Sequence, residues 1–142
     1  MAHFSERSKS RLATCDPDLQ RLFNRVIEVG KLDIVIVCGA RSKEAQDAAV
    51  AGGVSKAPWP TSKHNCPEPG QLSRAVDWAP WVDGGIPWKA TDQFLYIAGI
   101  LAGLAEGMGI SIRNGADWRR NARAKGNAFE DLGHTEKYDR GV

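Results

Sequence analysis

A chain of 142 residues has the length of one ordinary domain and can bury a sizeable core. Its hydrophobic fraction of 42% and charged fraction of 25% are those of a soluble protein, and a net charge of +2 is too small to argue for a nucleic-acid partner. Three cysteines, odd in number and without CxxC spacing, exclude a disulfide framework and fit a reducing compartment.

The first residues, Met1-Ala2-His3-Phe4-Ser5-Glu6-Arg7, lack the apolar run of a signal peptide, so synthesis in the cytoplasm is expected. Asp16-Pro17 reads as a helix start, with Asp as N-cap and Pro at the first helical position. Leu19, Leu22, Phe23, Val26 and Ile27 follow at helical spacing, and Gly30 ends the helix. Asp33 to Cys38 is a buried strand, which puts Cys38 in the core. After the turn Gly39-Ala40-Arg41-Ser42, Ser42 can cap a helix running to about Ala51, and Gly52-Gly53 stops it.

Val54 to Ser73 carries four prolines and few aliphatics and reads as a long loop, a type that is functional or disordered in compact domains. Arg74 to Ala79 reads as a strand, with Ala75, Asp77 and Ala79 on one face and Arg74, Val76 and Trp78 on the other. Pro80 to Pro87 is a turn-rich connection. A long helix runs from Trp88 or Lys89 to Met108 and ends at Gly107 or Gly109. Its most apolar part, Phe94 to Leu104, is too short to span a membrane.

Ile110 to Arg113 is a short strand and Asn114 to Trp118 a turn. The basic residues Arg113, Arg119, Arg120, Arg123 and Lys125 form either a solvated face or an attraction to an anionic surface such as a cell wall. Phe129 to Tyr138 carries the last polar motif. There are no internal repeats and no linker. The mixture predicts an α+β fold: one domain over residues 1–142, with a small antiparallel sheet packed by helices.

Three short motifs carry chemistry: Ser62-Lys63-His64, Arg74-Ala75-Val76-Asp77 and Asp131-Leu132-Gly133-His134. They offer two imidazoles and a carboxylate to a metal, with a second carboxylate three residues before the last imidazole. That is the donor set of a catalytic zinc site: three protein ligands, an open fourth position and a nearby base. On spacing alone the alternative stays open that both histidines are simply solvated in polar loops. Cys66, two residues after His64, is a competing soft ligand that ranks below Asp77, because the scattered cysteines do not supply a closed structural set. Glu136 could hold an imidazole N–H from behind.

These motifs, in this order, resemble those of the D-alanyl-D-alanine carboxypeptidase / L-alanyl-D-glutamate endopeptidase family of zinc peptidases, whose small members include bacteriophage endolysins. Gly39-Ala40-Arg41-Ser42 with Glu44 and Gln46, Gly115-Ala116-Asp117-Trp118, and the opening Phe4-Ser5-Glu6-Arg7-Ser8 and Asp16-Pro17-Asp18-Leu19 are similar to further family segments. The resemblance covers nearly the whole chain. It implies Zn2+ held by His64, Asp77 and His134, and Asp131 as the catalytic base. Arg41 would bind substrate or stabilise charge on its carbonyl oxygen, and Ser62 would lie at the substrate side of the site.

The implied substrate is the peptidoglycan stem peptide, cut between L-Ala and D-Glu for host lysis. The chain would be a monomer without nucleic-acid or integral membrane partners, made in the host cytoplasm and acting on the wall after release. Rival readings are a D-alanyl-D-alanine carboxypeptidase on the same site, a non-catalytic wall-binding domain, and a metal-free protein. Three departures from the family pattern stand out. His64 and Asp77 are separated by an enlarged Pro-containing loop, Ser73 stands where the family usually has Gly, and Ala40 stands where it usually has Tyr.

Overall fold

Ser5 opens the first helix, its hydroxyl accepting the Ser8 N–H at 3.2 Å. The structure, a computed structural model, describes residues 2–117, 120 and 132–139. Helix α1 (Glu6–Leu12) was not expected from the sequence. Its inward face carries Ser8 beside Leu12, so the apolar period is broken. Ser8 points inward for a reason. Its Oγ accepts the Ile36 N–H at 3.0 Å, and Arg11 Nη1 donates to the Ile36 carbonyl at 3.0 Å. Helix α1 thereby satisfies the outer edge of the first strand, which would otherwise be open to pairing.

Helix α2 (Pro17–Val29) starts at Asp16, whose carboxylate accepts the Asp18 N–H at 2.8 Å, and it buries the five predicted apolar residues. Strand β1 (Asp33–Cys38) and helix α3 (Lys43–Ala51, capped by Ser42) also lie where the sequence puts them. The loop that follows is tied down by bridges between Arg41 and Asn65 and between Cys15 and Ser73.

Strand β2 (Ala75–Trp81) runs past its predicted end at Ala79, through Pro80. The Trp78 N–H points to Gly133 O at 2.8 Å, so the Pro80 nitrogen, two residues on, faces the same side. That side faces away from β1, so the β1–β2 ladder, in which Pro80 pairs with Ile34, loses no bond there.

Helix α4 (Thr91–Met108) starts later than predicted, because residues 86–90 are taken up in tight turns. Gly109 ends it in the left-handed conformation, at φ 71°. The Ile110 N–H returns to Ala105 O at 2.9 Å to close the cap, so strand β3 begins only at Ile112 (Ile112–Asn114). A 3₁₀ turn follows (Gly115–Asp117). Strand β4 (His134–Lys137) was not predicted, having no apolar alternation.

The sheet has the order β1-β2-β4-β3, with every neighbouring pair antiparallel. This is the α+β arrangement the sequence predicts. Helix α2 packs on α4, α4 lies against β2 and β3, and α1 lies along β1. The core face holds Ile34, Ile36, Val76 and Trp78 with Phe94 and Leu101. Its polar groups are joined in a chain: Trp78 Nε1 donates to Thr135 Oγ1 (2.9 Å), Thr135 to Asn114 Oδ1 (2.6 Å), and Asn114 Nδ2 to Ala98 O (3.2 Å). That chain links β2, β4, β3 and α4 and leaves those buried donors satisfied.

Candidate metal centre

The register of the sheet builds the site. Asp77 of β2 is paired on one side with Cys38 of β1 and on the other with His134 of β4. Three polar side chains thus stand in one row on the face opposite Trp78. Strict alternation would have put Cys38 on the core face with Ile34 and Ile36. A bulge between Ile36 and Cys38 turns it over to Asp77. The expectation that Cys38 belongs to the core fails for this reason, since a bulge leaves no trace in a run of apolar residues.

His64 comes to this row from the long loop. The Ser62 hydroxyl accepts the His64 backbone N–H at 3.2 Å, and the Ser62 N–H goes to Asn65 Oδ1 at 3.1 Å. Ser62 therefore shapes the turn that carries His64. Arg41 N–H donates to His64 O at 2.8 Å and fixes the other side of the turn. Lys63 anchors the loop to β4 through Lys137 O at 2.5 Å and Glu136 at 2.9 Å.

The two imidazoles converge on one carboxylate oxygen. His64 Nε2 is 3.2 Å from Asp77 Oδ1 and His134 Nδ1 is 2.9 Å from the same atom. The rings meet edge to face with centroids 5.2 Å apart. Their far nitrogens are held from behind. His64 Nδ1 lies 2.8 Å from Gly39 O, and His134 Nε2 lies 2.9 Å from Glu136 Oε1, the partner its spacing suggested. Gly39 O, Glu136 and Asp77 can only accept, so a neutral ring meets only one of its two partners with a proton. Where the far nitrogen carries it, the near nitrogen directs its lone pair at a third acceptor, Asp77 Oδ1. Three acceptors aimed at one another require a cation or protons between them.

The electrostatics of the metal-free chain agree. Burial opposes charge on His64, but Asp77 and Cys38 outweigh it and raise the imidazole to about 9. Burial works against the Asp77 charge too, yet bonds from His134 and His64 hold its carboxyl well below the usual range. Glu136 is lowered to about 2: its burial is overcome by His134, Lys63 and Arg113. Burial would raise the Cys38 thiol, but His64 and Arg41 beside it bring it below its ordinary value.

Cys38, His64 and Asp77 form a group able to hold a metal ion, their ligand atoms all within 4.8 Å of one another. Sulfur, imidazole nitrogen and carboxylate oxygen suit zinc, so the residues present fit the ion that the motifs imply. His64 is buried, whereas the Asp77 side chain is 28% exposed and that of His134 18%.

Arg41 Nη2 lies 3.2 Å from Asp77 Oδ2, and Nη1 donates to Gln46 Oε1 at 3.0 Å. Gln46 is fully buried and uses its whole amide. It accepts from Arg41 and from Asn65 (3.1 Å) and donates to Ser55 Oγ (2.9 Å) and Ala57 O (2.6 Å). It joins α3, the loop and Arg41. Cys66 faces elsewhere, its thiol 3.7 Å from His64 O. Asp131, the expected base, lies outside the described residues, as do Trp118, Arg119, Arg123 and Lys125.

Gly133 sets the approach of β4. A Cβ there would run into the Trp78 carbonyl oxygen and lie 3.2 Å from Phe94 Cε1. The backbone oxygen cannot rotate away as a side chain would. Gly133→Ala is expected to lower stability by about 3 kcal/mol, and the melting temperature by on the order of 10 °C in a thermal scan. An unchanged melting temperature would contradict this packing.

Comparison with known proteins agrees with the geometry. The chain is 32% identical over 116 residues to the L-alanyl-D-glutamate peptidase of Escherichia phage T5, covering 81% of this chain and 80% of that protein. The crystal structure of Serratia marcescens L-Ala D-Glu endopeptidase ChiX superposes with a TM-score of 0.74 over 96% of this chain and 90% of that one, at 23% identity, which speaks to the fold. The family model described as phage L-alanyl-D-glutamate peptidase matches residues 1–137, and the chain belongs to that family.

Proposed function

We propose that this chain is a zinc-dependent peptidoglycan hydrolase that cuts the stem peptide between L-Ala and D-Glu, as a phage endolysin does in host lysis. The observation that carries the metal assignment is the convergence of His64 Nε2 and His134 Nδ1 on Asp77 Oδ1. The family and the phage relative support the scissile bond. In this reading His64, Asp77 and His134 are the zinc ligands. Zinc bound there lowers the pKa of water and polarises a carbonyl.

The chain's own residues do the rest. Gly39 O and Glu136 hold the far nitrogens of the two rings, fixing tautomer and orientation. Asp131 removes the proton of the attacking water and delivers it to the leaving D-Glu nitrogen. Arg41, positioned by Gln46 beside Asp77, has further N–H groups with which to stabilise the carbonyl oxygen as it becomes negative. Ser62 contributes by holding the turn of His64.

No helix among the described residues is long and apolar enough to cross a membrane. The proposed route is synthesis in the host cytoplasm as a monomer, with release to the wall. The test is mass spectrometry of purified sacculi digested with the zinc-loaded chain. Released peptides that begin with D-Glu, with L-Ala left on the sugar, are expected. Free D-Ala from otherwise intact stems would overturn the assignment of the bond and favour a carboxypeptidase.

A further inference from the structure

We infer that Cys38 is a fourth protein ligand of the metal, closing the centre at rest; this rests on the metal-site reading above. The row across the sheet places Cys38 and His134 on opposite sides of Asp77, each on the strand next to it. The Cys38 Sγ, a His64 ring nitrogen and an Asp77 oxygen lie within 4.8 Å of one another, and the Sγ is also 3.5 Å from Gly39 O, the carbonyl that holds His64 Nδ1. The bulge after Ile36 takes an apolar strand position and turns a thiol toward two metal donors.

The other cysteines do not compete. Cys15 is buried between Arg11 O and Ala75 O, and Cys66 lies against the His64 carbonyl. A set of Cys38, His64, Asp77 and His134 supplies four donors, the count of a closed tetrahedral zinc site, whereas hydrolysis needs one position for water. Cys38 would therefore compete with water for one position. It would strengthen zinc binding beyond what three ligands give, and would have to yield that position before a peptide is cut.

The test is the absorption spectrum of the full chain loaded with cobalt(II) in place of zinc. The wild type should show visible ligand-field bands and, in addition, a near-ultraviolet thiolate-to-cobalt charge-transfer band. Cys38→Ser should keep the first and lose the second, and should bind zinc at least ~10-fold more weakly. Cys66→Ser should retain both bands. In the wild type itself, zinc should protect Cys38 from iodoacetamide while leaving Cys66 labelling unchanged. Ligand-field bands without the charge-transfer band in the wild type would overturn the role of Cys38 and leave the three-ligand site standing. Absence of any cobalt spectrum would contradict the metal site itself, and this inference with it.

Discussion

Asp77→Ala is expected to empty the metal centre and abolish cleavage of the wall. Asp77 is the middle of the row, and its Oδ1 is the atom on which both imidazoles converge. Its Oδ2 holds Arg41. The substitution removes the anionic ligand and leaves two imidazoles facing each other with no charge between them. It also frees Arg41 from one of its two anchors. Loss of an outer partner already costs about 10–100-fold in metal affinity, and loss of a ligand should cost more. Elemental analysis of the variant should find far less than one zinc per chain, and muropeptide release should fall to background. Asp77→Asn, nearly the same shape without the charge, should show the same direction. Full zinc content in either variant would remove Asp77 from the ligand set.

Asp131→Ala should separate chemistry from metal binding. The residue stands three before His134 in sequence and is proposed as the base. A positioned acid–base group contributes typically ~10²–10⁴ in rate, so kcat should fall by that order while zinc content stays at the wild-type value. The two variants are thus expected to agree in activity and differ in metal. Wild-type kcat in Asp131→Ala would sink the assignment of the base. Loss of zinc in that variant would mean that Asp131 is a ligand instead.

Helices α2 and α3 and strand β1 were legible because each carries its own start signal or apolar period. Asp16-Pro17 and Ser42 mark helix starts whatever surrounds them. What escaped is what tertiary contact decides. Helix α1 hides because Ser8 faces inward to serve the edge of β1. Strand β4 hides because His134 and Glu136 on one face belong to the site and Thr135 on the other bonds to Trp78. Neither strand face carries the apolar alternation by which strands are read.

Of the site, His64, Asp77 and His134 were visible as motifs, and the structure brings them together. Cys38 was not, since one bulge changed its face. Gln46 was visible only as part of a family-like segment. Its four hydrogen bonds, to the loop and to Arg41, depend on a fold the spacing does not show.

The enlarged loop between His64 and Asp77 does not displace the ligands. Its ends are fixed by Lys63 on β4, by the Arg41–Asn65 bridge and by Ser73 beside Cys15, so added length is taken up between anchored points.

The central claim is that a single zinc at His64, Asp77 and His134 drives the peptidase reaction. Its most direct test is a titration of the chelator-stripped chain with zinc, following metal content and muropeptide release in the same samples. Activity should rise in proportion to bound zinc and level off at one zinc per chain. Full cleavage by the stripped chain, or saturation of zinc with no activity gained, would contradict it.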